Sequence, residues 1–185
     1  TLVYRAINRL DRDTTGLLVI AKHLLAGCIL SDQMLNRQIH RQYRAIVCGK
    51  TEKEGIIDAP IGRAEDSTVL RRIDFEHGET ARTRYRLLSY DEEKDLSYIS
   101  LKLDTGRTHQ IRVHMASTGH PLLGDTLYHS DDKISSCASF SRAALHAWKV
   151  SFQHPFRDEM LLLEAPLPFD FRELVSLSGS DMLSI

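Results

Sequence analysis

Residues 8–16 read Asn-Arg-Leu-Asp-Arg-Asp-Thr-Thr-Gly and pack two acids, two arginines and two hydroxyls into one short segment. The segment stands just ahead of an apolar run, and a loop at a strand mouth is a usual seat for reactive groups. Asp11 is flanked by arginines. Nearby positive charge stabilises a carboxylate anion, so Asp11 should stay ionised at neutral pH. That suits a nucleophile or a stabiliser of developing positive charge better than a general acid. The ordinary alternative is an Asp/Thr-rich turn with solvated ion pairs worth little.

Three further clusters carry chemistry. Residues 105–114 (TGRTHQIRVH) hold two arginines and two histidines on and before a helix start. Backbone N–H groups there, with an Arg such as Arg107, can hold phosphate. His109, His114 and His120 do not match a metalloprotease spacing and have no nearby Cys, so no metal site is expected. A hydrogen-bonded packing role is the ordinary alternative for His114. Residues 41–47 (RQYRAIV) place Tyr43 on a basic strand, where it could stack on a nucleobase or simply fill a strand position. Arg82, Arg84 and Arg86 form a stripe that reads as a solvated sheet face. A reading from another class takes Asp11 and Asp13 as the paired carboxylates of a glycosidase, which would also need aromatic cleft walls. The chain has one Trp.

The elements that must position these groups follow from periodicity. Residues 16–21 (GLLVIA) read as a short buried strand. Residues 22–37 place Leu24, Cys28, Met34 and Leu35 at near-helical spacing. Residues 43–48 alternate and end at Gly49; residues 55–57 precede an Asp-Ala-Pro turn. In 80–90, Ala81, Thr83, Tyr85 and Leu87 share one face and the three arginines the other. Residues 96–103 alternate again, and a loop follows. Thr108 is the expected N-cap of a short helix that stops towards Gly119 and Pro121. Residues 135–141 read as a flexible surface loop, 145–152 and 159–164 as a hairpin, and 170–177 as a terminal helix. The fold class is α+β: a mainly antiparallel mixed sheet with flanking helices and a central cleft.

Composition sets the bounds. The chain has 185 residues, of which 42% are hydrophobic. That suits one compact domain burying about 70% of its unfolded surface. Twenty-four basic and 25 acidic residues leave a net charge of −1, which argues mildly against a nonspecific nucleic-acid binder but not against a local basic groove. Residues 33–50 carry Arg37, Arg41, Arg44 and Lys50; one acid, Asp32, lies just before them. Cys28, Cys48 and Cys137 are odd in number and widely spaced, so a disulfide framework is not expected and a reducing cytoplasm is the natural setting. No apolar run approaches the length that spans a bilayer.

Taken together, residues 8–22 (NRLDRDTTGLLVIAK), 41–49, 59–63 (APIGR), 81–85 and above all 105–124 (TGRTHQIRVHMASTGHPLLG) resemble the RluA-type pseudouridine synthases. Leu145-His146-Ala147 and Phe152-Gln153-His154-Pro155 extend the likeness, in the family's order. Asn8 stands where the family usually has His, and Thr15 where it often has Ser. The resemblance implies isomerisation of a uridine in ribosomal or transfer RNA, without cofactor or metal and without an obligate protein partner. It implies that Asp11 is the catalytic carboxylate, by attack on the sugar or by deprotonating the ribose. It links Arg9 to the flipped-out nucleotide and Tyr43 to stacking under uracil. It has Arg112 pairing with the catalytic Asp, and Arg107 is a candidate phosphate contact. The runner-up is an RNA-binding relative without catalysis. The family normally carries strands with an Asn-Lys-Pro segment, and often an S4-like domain, ahead of the Asp motif. The chain is therefore expected to be a catalytic domain that is incomplete at its N-terminus.

Overall fold

The computed structural model describes residues 4–65, 67–128 and 140–175. Among the described residues there are eleven strands and three helices. The long strands are those whose sequence alternates: β4 (His40–Cys48), β8 (Arg82–Asp91), β9 (Leu96–Leu103) and β10 (Leu145–Gln153). With the shorter β5 (Glu54–Asp58) and β11 (Met160–Glu164) they form a sheet in the order β11-β10-β4-β9-β8-β5. Every pairing along this path is antiparallel. The sheet becomes mixed where β2 (Thr15–Gly16) joins β10 in parallel. Two small ribbons stand apart, β1 (Arg5–Ala6) with β3 (Ile20–Ala21), and β6 (Ile61–Arg63) with β7 (Arg71–Ile73).

Because side chains alternate across a pleated strand, β4, β8 and β9 each give one face to the core. Tyr43, Ala45, Ile99, Leu101 and Leu145 pack there under Ile111 and Met115 of α2 (Gln110–Ser117). A second cluster seats α1 (Leu24–Leu35) through Ala26 and Leu30 on Val150 and Phe152. A third lies on the other sheet face, where Phe171 of α3 (Phe169–Val175) meets Ile46 and Leu96.

Three expectations need correction or fall outside view. Residues 16–21 are not one buried strand. Gly16, at φ +108°, turns the chain off β10, and it resumes as β3 on the β1 ribbon with Leu18 and Ile20 exposed. The ribbon covers one face only, so Val19 and Ala21 alone are buried. The N-cap of α2 is His109 in a left-handed conformation at φ +58°, not Thr108. Of the expected loop at 135–141, residues 135–139 lie outside the described residues, as does Cys137.

Candidate active site

The Asp11 segment is a loop pinned at its base and open at its tip. Ile7 N–H donates to the Val19 carbonyl (2.9 Å), and Val19 N–H donates to the Asn8 side-chain oxygen (2.9 Å). Asn8 thus closes the loop across its neck. Thr14 N–H donates to the Asp11 carbonyl (3.0 Å), making the turn that carries the carboxylate. On the far side, the Thr15 hydroxyl lies 2.8 Å from His146 Nδ1, and Leu17 N–H donates to the Ala147 carbonyl (2.9 Å). Gly16 cannot be replaced without rearrangement: a Cβ there would sit 2.1 Å from the Ala147 carbonyl oxygen. Arg142 donates to the Asp13 carbonyl (3.2 Å) while its Nε holds Asp170 of α3 (2.8 Å). Nothing in the residue types of Arg142 or His146 marks them as supports of this loop; only the sheet order brings them beside it.

The loop tip forms one wall of a cleft of about 500 Å³, counted out to its open mouth. Arg9, Asp11, Arg41, Tyr43, Gly106 and Arg107 all line it, with Leu10, Leu103, Ile111 and Leu145 as apolar surfaces. Asp11 is half-buried. Arg41 and Tyr43 reach the cleft from alternate positions of β4. Gly106 lets the Arg41 guanidinium lie close over the loop: a Cβ there would be 2.8 Å from Arg41 Nη2. Three guanidiniums against one carboxylate make the cleft cationic although the chain as a whole is not. Tyr43 is 5% exposed. Its burial raises the phenol above its ordinary value of 10.0; Arg41 opposes that rise and the Asp11 charge adds to it. Tyr43 is therefore a protonated phenol at neutral pH, fit to stack and to donate a hydrogen bond.

Arg112 does not pair with Asp11, contrary to expectation. Its Nε and Nη2 donate to the two oxygens of Asp125 at 2.7 and 2.6 Å, and the side chains are 7% and 0% exposed. The bidentate fork is filled. Asp125 also accepts from Leu127 N–H (3.0 Å), and the Tyr128 ring lies 5.1 Å from the guanidinium. The reason is helical geometry. Gln110 and Ile111 border the cleft at the start of α2, and Arg112, the next residue round, turns towards the 122–125 turn. The Asp11 charge still acts on Arg112, after Asp125, in raising its pKa. Arg107 does line the cleft, with its guanidinium held by Glu79 and by the Thr80 carbonyl (3.1 Å).

Gln110 is the residue that sequence reasoning missed here. Its amide nitrogen donates to the Arg82 carbonyl and the Thr83 hydroxyl, both at 3.0 Å. Its oxygen accepts from the Thr105 hydroxyl (2.8 Å) and Arg107 N–H (3.0 Å). The fully buried His114 continues the network. Nε2 donates to the Ala59 carbonyl (2.9 Å), so Nδ1 accepts from the Thr83 hydroxyl (2.8 Å). Burial holds His114 below its ordinary value, in keeping with a neutral ring. His109 Nδ1 meets the Tyr128 hydroxyl (2.7 Å), and His120 Nδ1 faces the Cys48 carbonyl (3.0 Å). Each histidine thus has a separate protein partner. Among the described residues, no group of His, Cys, Asp or Glu side chains is placed to hold a metal ion. Asp13 is exposed and not part of the cleft lining, so the paired-carboxylate glycosidase reading loses its second acid.

Residues 1–117, which hold the Asp11 loop, Tyr43 and the start of α2, match the family described as RNA pseudouridylate synthase. The chain belongs to that family. It is 45% identical over 175 residues to the uncharacterized RNA pseudouridine synthase YhcT of Bacillus subtilis, covering 94% of this chain and 56% of that protein. It is 45% identical over 173 residues to the ribosomal large subunit pseudouridine synthase D of Nitrosomonas europaea, covering 91% and 49%. Among solved structures, human RNA pseudouridylate synthase domain containing 1 superposes with a TM-score of 0.79 at 27% identity, over 90% of this chain and 70% of that one. The RluA-type membership and the α+β fold expected from the sequence both stand. The chain spans about half the length of the curated relatives it matches. No helix among the described residues is long and apolar enough to cross a membrane.

Proposed function

We propose that this chain isomerises a uridine within RNA to pseudouridine, with Asp11 as the catalytic carboxylate. The observation that carries this reading is the placement of Asp11. In a chain of this family, its half-buried carboxylate lines the same cleft as Tyr43, and the other charged groups of that lining are Arg9, Arg41 and Arg107. The reaction moves uracil from an N1 to a C5 bond on the same sugar. The N1–C1′ bond breaks, the base turns, C5 bonds C1′, the C5 proton leaves and N1 gains a proton. Atoms and electrons balance with no oxidant and no leaving group.

Positive character grows on the sugar as the C–N bond breaks, and a fixed anion beside C1′ lowers that barrier. The uridine must first leave the stack. Arg9 at the cleft mouth is suited to hold its phosphate, and the Tyr43 ring offers the face on which uracil rests. Arg107, tied to Glu79, presents a fixed guanidinium edge on the same wall with most of its charge offset by that carboxylate. The Arg112–Asp125 pair anchors α2 rather than touching the reacting atoms. Relatives named as ribosomal large subunit enzymes support ribosomal RNA as the substrate, and with it a cytoplasmic setting.

The test is tritium release from RNA carrying uridine labelled at C5. The wild-type chain releases label into water, and Asp11→Asn does not. Release by Asp11→Asn at a comparable rate contradicts the role given to Asp11.

A further inference from the structure

The three-arginine stripe of β8 has no part in the cleft. Tyr43, Leu101 and Tyr85 lie in register and look towards the core side of the sheet. Arg44, Ser100 and Arg86 are the next row, also in register across β4, β9 and β8, and look the opposite way. The small Ser100 leaves a gap flanked by two arginines. One position along, Lys102 stands directly opposite Arg84. Like charges facing one another across a strand pair repel, and here Asp104 offsets the Arg84 charge but not that of Lys102.

The acids on this face neutralise the middle of it only in part: Glu54 stands directly opposite Arg86 across β5 and β8 but forms no ion pair with it among the described residues. Asp58 and Asp104 engage Arg82, and Asp104 also holds Arg84 at 3.0 Å. Glu164 is taken by Lys149. Arg44, Arg86 and Lys102 form no ion pair among the described residues, and Arg86 and Lys102 are exposed. Arg44 lies 3.8 Å over the Trp148 ring. Stacking occupies the flat face of a guanidinium and leaves its N–H edge free for a bidentate phosphate contact. Burial lowers the Arg44 pKa and the Arg86 charge lowers it further, against Tyr98 and Glu164. An anion seated over Ser100 between the two arginines would offset their mutual repulsion. α3 covers only the Ile46 end of this face.

We propose that Arg44, Ser100, Arg86 and Lys102 form a second contact for the phosphodiester backbone of the RNA whose uridine enters the cleft. The inference rests on the reading of the chain as an RNA-modifying enzyme. Charge complementarity selects the occupant, and backbone contacts of this kind need no particular base sequence.

The experiment measures binding of the Asp11→Asn protein to a long, unmodified large-subunit ribosomal RNA transcript over a range of salt. The same is done after adding Arg86→Ala and Lys102→Ala together. The expected result is about 10-fold weaker binding near physiological salt, with the slope of log K against log salt shallower by about 2. Arg86→Lys with Lys102→Arg restores both. An unchanged slope, or a loss that the charge-keeping pair does not restore, overturns the proposal. The readout is independent of turnover. If the wild type fails the tritium test while the slope change holds, the activity reading falls and the contact stands. If release succeeds and the slope is unchanged, the contact alone falls.

Discussion

The Asp11 loop and the α2 segment border the same cleft but are built by opposite rules. In the α2 segment the side chains of Thr105, Arg107, His109, Gln110, Arg112 and His114 each have a close partner. Arg112 is spent on Asp125, and Gln110 makes four hydrogen bonds to backbone and side-chain groups. The Asp11 loop is held by backbone and by neighbouring side chains at its neck and far side, while its half-buried carboxylate lines the cleft with no hydrogen bond or ion pair among the described residues. A buried polar network is worth having only when complete, because a half-satisfied one costs more than an apolar core. A carboxylate left without a partner in such a cleft is the group that the proposed reaction would use. The Asp11 loop is the more heavily charged of the two, with Arg9, Asp11, Arg12 and Asp13 in residues 8–16 against Arg107 and Arg112 in residues 105–114, yet the α2 segment is the one whose charges are tied into the scaffold.

The largest effect separates the two regions by activity. Asp11→Asn should lower pseudouridine formation by at least about three orders of magnitude, with the thermal midpoint nearly unchanged. A large fall in the midpoint would make the loop part of the scaffold after all. Next comes stability. Arg112→Ala leaves Asp125 buried and unpaired, and should cost about 3–5 kcal/mol in a denaturant titration. A cost below about 1 kcal/mol would mean that the pair is replaceable surface chemistry.

The pH response sharpens the same contrast. Burial holds His114 and His146 below their ordinary 6.5. Just below pH 6.5 the unfolded chain binds protons that the folded chain refuses. Stability is thus full above that pH and drains as pH falls towards the lower folded values, by at most about 1.4 kcal/mol per unit for each proton. Thermal midpoints measured from pH 8 to 5 should be flat and then fall, and His114→Gln should soften the fall. The smallest effect is expected on the outer sheet face. Asp104→Ala removes half-exposed pairs with Arg82 and Arg84 and should cost less than about 1 kcal/mol.

What was legible in the sequence was local. β9 ran over Leu96–Leu103 as its alternation predicts, and α1 occupies Leu24–Leu35 inside the expected 22–37. The split of Ala81, Thr83, Tyr85 and Leu87 from the arginines also holds. What failed depended on long-range placement. The partner of Arg112 sits 13 positions away in a turn, and neither residue type nor spacing distinguishes Asp125 from Asp11 as that partner. The break at Gly16 arises because the chain must leave β10 for a separate ribbon, which an apolar run cannot signal. His109 carries a left-handed backbone, which is uncommon for any residue but glycine even though His adopts it more readily than most, so the sequence does not signal it. The cleft residues Asp11, Arg9, Tyr43 and Arg107 were found by residue type and family likeness. Arg41 was legible only as one cation of a basic stretch, and Gln110 and Arg142 emerged only once the sheet order was known.

The most direct test is to identify the product. RNA treated with the chain is digested to nucleosides and separated by chromatography with mass detection. The account predicts a nucleoside of the same mass as uridine but different mobility, formed by the wild type and absent with Asp11→Asn. Free uracil, or the same isomer made by Asp11→Asn, would contradict it.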